Sequence, residues 1–340
     1  MGERSLGLLA VGAALAFCWL ARALLIPAVL GVFAAYAVQP VVTRLERWKV
    51  PRWLAAVAGT LLAVLVVAAL AALLWSQLLA FSNDLPAYEQ RARQLARLAL
   101  RHFARIQEQS EQLVPLAPGT LKVESAVPWG TLALGASTYA ARLAAQAVVA
   151  VFTLYFALAD GPRYAEKLLA AAKTPEARAR IRAALEGIHR DVGQYLVNRA
   201  VLNAAVGLVT GVAFALYGLQ HPAIWGITTG LAHFVPYLGT SLGLLLPLGM
   251  ALVQYESLRD PLVVAGIYVV IVTIQGNVVD PIFIGKQLRL NSLAVFLGSL
   301  FWYWIWGPIG LFLAAPLLSA IRVVCAHVPR LRLTAELLGS

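Results

Sequence analysis

The sequence predicts an all-α, polytopic membrane protein of about eight spans, with interrupted or re-entrant helices in its carboxy-terminal half. Three observations carry that expectation. Of 340 residues, 61% are hydrophobic and only 13% charged, against roughly 45–50% and 25% in a soluble domain. The apolar residues gather in blocks near the ~20 residues that cross a bilayer as a helix. The long blocks lack strand alternation, which argues against a transmembrane barrel.

The expected spans are 6–22, 24–42, 53–79, 132–159, 195–218, 223–253, 261–279 and 292–321. Arg4 ahead of the apolar run Leu6–Leu20 has the look of a signal peptide, but a second apolar segment follows at once without a small-residue cleavage site. It is read as a retained span. The connection from Thr43 to Arg52 holds Arg44, Arg47, Lys49 and Arg52 against Glu46 alone, a bias of cytoplasmic loops. Eight crossings then leave both termini inside, in agreement with Arg322, Arg330 and Arg332; Lys286 and Arg289 fall outside and disagree.

The chain divides into a three-span unit (1–82), an extracytoplasmic amphipathic excursion (83–131), a fourth span with cytoplasmic amphipathic helices (132–194), a core with broken helices (195–323) and a cytoplasmic tail (324–340). Asn83 and Asp84 are the expected caps of the first excursion, with Leu95, Leu98, His102 and Ile106 at helical spacing. A solvated helix packing on its own protein is favoured there over a membrane-surface or oligomer-contact helix. Thr174-Pro175-Glu176 starts the second, which is expected to run into the fifth span.

The net charge of +11 lies mainly in the connections, where anionic headgroups and topology account for it. No nucleic-acid motif accompanies it. Cys18 and Cys325 are far apart, with no metal-ligand spacing, and no cofactor is expected.

The candidate pathway residues interrupt apolar runs. Gln194 and Asn198, with Arg199 and Asn203 beside them, make one polar stripe on the fifth span. Arg199 is near enough to the end to reach the headgroups, but the asparagines are too short and need partners within the bundle. His233, Pro236, Tyr237 and Gly239 suggest a broken helix or re-entrant turn; for His233 alone, an ordinary kink with the ring satisfied by a carbonyl is the better reading. A second interruption, Gly276-Asn-Val-Val-Asp-Pro-Ile-Phe-Ile-Gly285, follows an almost wholly apolar run. Asp280 is either a cation or proton site or the cap of a helix after Pro281. Gln275, Asn277 and Gly285 either line the same site or satisfy freed backbone. Paired interrupted helices point to a midplane transport site. Glycines four apart, Gly207 and Gly211, Gly226 and Gly230, predict close helix packing.

Phe234-Val-Pro-Tyr-Leu-Gly239, the Gly276–Gly285 run, Gly307-Pro-Ile-Gly310, Ala314-Ala-Pro-Leu317 and Phe156-Ala-Leu-Ala-Asp-Gly161 resemble the autoinducer-2 exporter family of membrane proteins. Asn198-Arg199 and Asn291-Ser292 depart from the pattern usual in that family. The resemblance implies about eight spans and a secondary transporter of the bacterial inner membrane. It would export a small polar, autoinducer-2-like solute on an ion gradient; sodium or lithium exchange for protons is the alternative. A scaffold working through its charged helices is a further reading. No Walker loop, nucleophile motif or zinc motif points to a pump or an enzyme. The expected partners are the lipid bilayer, a small polar solute or monovalent cation, and further copies of the chain in a homo-oligomer.

Overall fold

The computed structural model describes residues 3–110, 129–235, 238–283 and 290–339. Its helices are α1 (Glu3–Leu20), α2 (Arg22–Arg47), α3 (Arg52–Ser110), α4 (Trp129–Ala170), α5 (Pro175–Tyr217), α6 (Pro222–Ala232), α7 (Leu238–Gln254) and α8 (Arg259–Ile274). A π-helical turn (Gln275–Val279) joins α8 to α9 (Asp280–Phe283), and α10 (Ser292–Trp306), α11 (Pro308–His327) and α12 (Arg332–Leu338) complete the chain. Among the described residues six helical stretches are long and apolar enough to cross a membrane, and Gly239–Gln254 and Ser292–Trp306 are apolar but shorter. The protein is an all-α polytopic membrane protein.

Local chemistry sets the ends of α5, the longest element of the core. Thr174 is extended and its hydroxyl accepts from Ala177 N at 3.1 Å, with Pro175 and Glu176 in the first turn. Gly218 closes the other end in the left-handed region (φ 87°), and Leu219 N reaches back to Phe214 O at 2.9 Å. One helix therefore joins the amphipathic segment to the fifth span, as the sequence leads one to expect.

Two expected crossings are hairpins instead. The 223–253 segment folds back on itself: α6 starts at Pro222, and α7 returns to the same end, where Gln254 bonds both Gly218 O and Gln220 N at 2.8 Å. An arm of 11 residues rises only about 16 Å, half of a hydrocarbon core. The 292–321 segment likewise reverses at Gly307 (φ 66°), a backbone open to glycine. Gly310 then lies against the Trp302 carbonyl and Gly298 against Leu318, so α10 and α11 run antiparallel. Asn291 N donates to Leu338 O at 3.0 Å, which places the start of α10 beside the carboxy-terminal helix. Uniform crossings had put the connection before Leu290 opposite the basic loop. The reversal at 223–253 brings Leu290 to the basic end, and the one at 292–321 keeps the carboxy-terminal helix there; Lys286 and Arg289 themselves lie outside the described residues.

The expected caps at Asn83 and Asp84 do not form, because α3 runs unbroken through them and through Pro86. The carbonyl that Pro86 leaves without a donor belongs to Ser82, an exposed residue, where water replaces the lost bond. Beyond the apolar stretch α3 clamps the α5–α6 turn: Asp84 Oδ2 lies 3.1 Å from His221 Nε2 and Tyr88 bonds Gln220. Arg91 faces Glu256 at 3.5 Å. The side chains of Leu98, His102 and Ile106, and residues 111–128, are outside the described set.

At the basic end Pro162 lies inside α4 and deprives the Leu158 carbonyl of its usual donor. Arg52 Nε supplies the missing bond at 3.0 Å, and its Nη1 holds Glu46 at 2.9 Å. Arg52→Leu should lower unfolding stability in detergent by about 1–3 kcal/mol, the cost of an unsatisfied buried carbonyl. Adding Pro162→Ala should recover part of the loss; no recovery would show that the carbonyl is not the cause.

Candidate functional site

Helices α5 and α6 meet through glycine. A Cβ on Gly226 would stand 2.6 Å from the Gly207 carbonyl oxygen, and one on Gly230 2.8 Å from that of Asn203. Such contact is open only to small residues. It seats the α6–α7 hairpin deep against α5, with its tip beside Arg199.

The Arg199 guanidinium is the hub. Nη2 donates to the His233 carbonyl at 2.7 Å, and Nη1 lies 3.4 Å from Asp280 Oδ2. His233 O is free to accept because α6 ends at Ala232. Asn198 Nδ2, on the adjoining row of α5, donates to Phe283 O at 3.0 Å and ties α9 to the same face. The His233 ring is buried, and its Nδ1 bonds Thr229 O at 2.8 Å. Donation by Nδ1–H leaves Nε2 as the acceptor in a neutral ring.

The expected helix break at Pro281 is absent. The chain passes from α8 through the π turn into α9 without interruption, and Asp280 N bonds Gln275 O. Asp280 has helical angles (φ −60°, ψ −45°), so it is not the N-cap of a new helix. Proline accounts for the π turn: its ring clashes with the carbonyl four residues back, and widening the ladder relieves that clash. The extra residue also re-phases the helix. Tyr268 and Gln275, two turns apart, are both buried on the inner face; the next inward position in a regular helix is near 279, and the π turn transfers it to Asp280.

Burial leaves an unusual residue of unmet hydrogen bonding. Arg199 Nε, Asp280 Oδ1, His233 Nε2, Gln275 Oε1 and both amide atoms of Asn203 are buried with no partner among the described residues. An atom of this kind left without water or solute would cost about 1–3 kcal/mol. They form a polar seam where α5, α6 and the α8–α9 helix converge.

The structure thus brings together Arg199, Asp280, His233, Asn198, Asn203 and Gln275, with buried Gly239 opening α7 against the Ala232 carbonyl. It does not bring Gln194, which is exposed. Asn277 is exposed too and bonds Thr273 O on its own helix at 2.9 Å; two residues past the buried Gln275, it falls on the opposite side of the helix. Pro281 is exposed, and Pro236, Tyr237 and Gly285 lie outside the described residues. Sequence reasoning missed Tyr268, whose hydroxyl donates to Thr240 O at 2.9 Å and whose ring lies 6.4 Å from that of His233. Its seven-residue spacing from Gln275 was the available signal. The rings of Phe234 at the α6–α7 tip and Phe312 in α11 lie 4.8 Å apart, tilted by 35°, so the two hairpins touch beside the seam.

A helical bundle that buries unpartnered polar groups between a hairpin and its flanking helices has the architecture of a membrane transporter. The chain belongs to the AI-2E family of transporters, whose family model it matches over residues 8–330. It is 27% identical over 306 residues to the AI-2 transport protein TqsA of Escherichia coli K12, covering 89% of this chain and 86% of that one. YhhT of the same organism is 24% identical over 88% of this chain and 83% of its own. A protein of Haemophilus influenzae is 25% identical over 98% and 95%. All three carry transport-protein names.

Proposed function

We propose that this protein is a secondary transporter, not an enzyme, that exports a small polar solute through the seam between α5, α6 and the α8–α9 helix. The observation that carries the reading is the set of buried donors and acceptors without partners around Arg199 and Asp280. A solute bearing hydroxyl groups satisfies both kinds at once. A bare monovalent cation meets a poorer site, because the Arg199 guanidinium already offsets the Asp280 charge at 3.4 Å. The name of TqsA makes autoinducer-2 the first solute to test. Asp280 is the group through which an ion gradient would act, since its carboxylate faces the Arg199 guanidinium at 3.4 Å. The basic end, with both termini, belongs in the cytoplasm of the inner membrane, and copies of the chain assemble as a homo-oligomer.

Proteoliposomes loaded with autoinducer-2, under imposed proton or sodium gradients, test the proposal. Gradient-dependent release is the expected result. Gradient-dependent sodium or lithium flux without solute release would replace it with the antiporter reading. Absence of both would leave a scaffold.

A further inference from the structure

A second feature lies at the basic end, remote in the fold from the seam. Helix α4 packs one face on α2, where Gly31 lies against Ala150, Thr153 and Leu154. Its opposite face carries Val148, Phe152 and Phe156, all about half exposed or more, with the two phenyl rings stacked at 6.3 Å. These side chains line an apolar groove of about 510 Å³ that ends at Ala157 and Tyr164. The same two residues also wall a cavity of about 410 Å³ between α2, α4 and α5, where Tyr36, Gln39, Arg52 and His189 present polar groups. The groove and the cavity therefore share a wall, the groove largely apolar and the cavity mixed.

Their dimensions and charge fit one occupant. From Val148 to Ala157 the helix rises about 14 Å, close to the ~15 Å of a single leaflet's hydrocarbon. The polar cavity begins where that length ends, at the turn of the helix from apolar to charged residues. The segments that flank its lining residues in sequence carry Arg44, Arg47, Lys49, Arg163 and Lys167 against Glu46, Asp160 and Glu166, an excess of positive charge once Arg52 is counted. Arg52 is held by the Leu158 and Ala159 carbonyls at 3.0 and 3.2 Å and by the Glu46 carboxylate at 2.9 Å, so its guanidinium is fixed before any ligand arrives. Tyr164, 60% exposed, stands at the boundary as an amphipathic side chain does at a membrane interface.

We propose that the α4 groove and the cavity at its base form one binding site for an anionic phospholipid of the basic-side leaflet, its acyl chain along Val148, Phe152 and Phe156 and its phosphate at Gln39, Arg52 and His189. The site is independent of the solute seam. It ties α2, α4 and α5 together through a molecule of the membrane itself.

The test uses the full-length protein in detergent, equilibrated with phosphatidylglycerol or with phosphatidylcholine of the same chains, and counts retained lipid by native mass spectrometry. Retention of phosphatidylglycerol several-fold above phosphatidylcholine is expected. Ala157→Trp, which puts an indole into the wall that both share, should abolish retention of both. Gln39→Leu with His189→Leu should remove the headgroup preference and leave acyl retention. Soluble glycerol phosphate should not displace the lipid; displacement would show a free-phosphate site and overturn the proposal. Equal retention of the two headgroups would overturn it, as would retention indifferent to all three substitutions. A change of oligomer mass in Ala157→Trp without loss of lipid would assign the face to a second copy of the chain and sink it too.

Discussion

Asp280→Asn should lower solute flux in proteoliposomes by about 5–150-fold, the range of a coupling worth 1–3 kcal/mol, while leaving the protein folded. Asparagine keeps the shape and loses the charge that holds Arg199 at 3.4 Å. The reverse deletion is harsher on the fold. Arg199→Met strands the Asp280 carboxylate, 29% exposed, as Asp280→Asn strands the Arg199 guanidinium, 16% exposed, and the ~3–5 kcal/mol of a fully buried pair is an upper bound for either. Arg199→Met also frees the His233 carbonyl at the hairpin tip, which accepts from Arg199 at 2.7 Å. The double variant Arg199→Gln with Asp280→Asn should regain most of that stability, because neither charge is left alone, and yet transport poorly. Thermal unfolding in detergent and flux, measured on the same preparations, separate the two effects. A double variant with wild-type gradient-driven flux would refute the role given to the pair.

Gly226→Ala has the second largest expected effect. The added Cβ would meet backbone on both sides, the Gly207 carbonyl oxygen at 2.6 Å and Gly211 Cα at 3.0 Å. No rotamer change relieves a backbone clash, so α6 must withdraw from α5. Overpacking of this kind costs about 1–3 kcal/mol, and withdrawal moves the hairpin tip away from Arg199. Stability and flux should fall together. Gly249→Ala and Gly266→Ala, where an added Cβ meets nothing within 4 Å, should change neither for the worse and add a few tenths of a kcal/mol to about 1 kcal/mol of helix stability. Equal behaviour of all three variants would show that the α5–α6 approach is not what seats the hairpin.

Much of this molecule is readable from local rules. The Thr174 cap and the four-residue glycine spacing in α5 and α6 depend on neighbours a few positions away, and each forms as expected. The polar stripe of α5 is equally legible, because two asparagines and an arginine at helical spacing have nowhere cheap to go in hydrocarbon. Asp280 was identified as a charged group at depth, but its surroundings were not. Proline at 281 signals a disturbed helix, yet whether the ladder breaks or widens depends on what packs around it. Asn277 and Gln194 are exposed and stand off the seam: Asn277 sits two residues, about 200° of helix, past the buried Gln275, and Gln194 one turn nearer the basic end than Asn198.

By itself the chain determined its solvent and its elements: apolar blocks of membrane length, caps, small-residue faces, and polar groups too costly to leave in lipid. These follow from transfer free energies and hydrogen bonding within a few turns of helix. Only the tertiary structure decided that 223–253 and 292–321 double back, that the basic loop and Leu290 share one end, and that Arg199, Asp280 and His233 meet. A reversal at Gly307 and a crossing look alike in composition, because both bury the same apolar residues. What separates them is which distant helix receives the freed carbonyls and the small-residue face, and that is a property of the packed bundle.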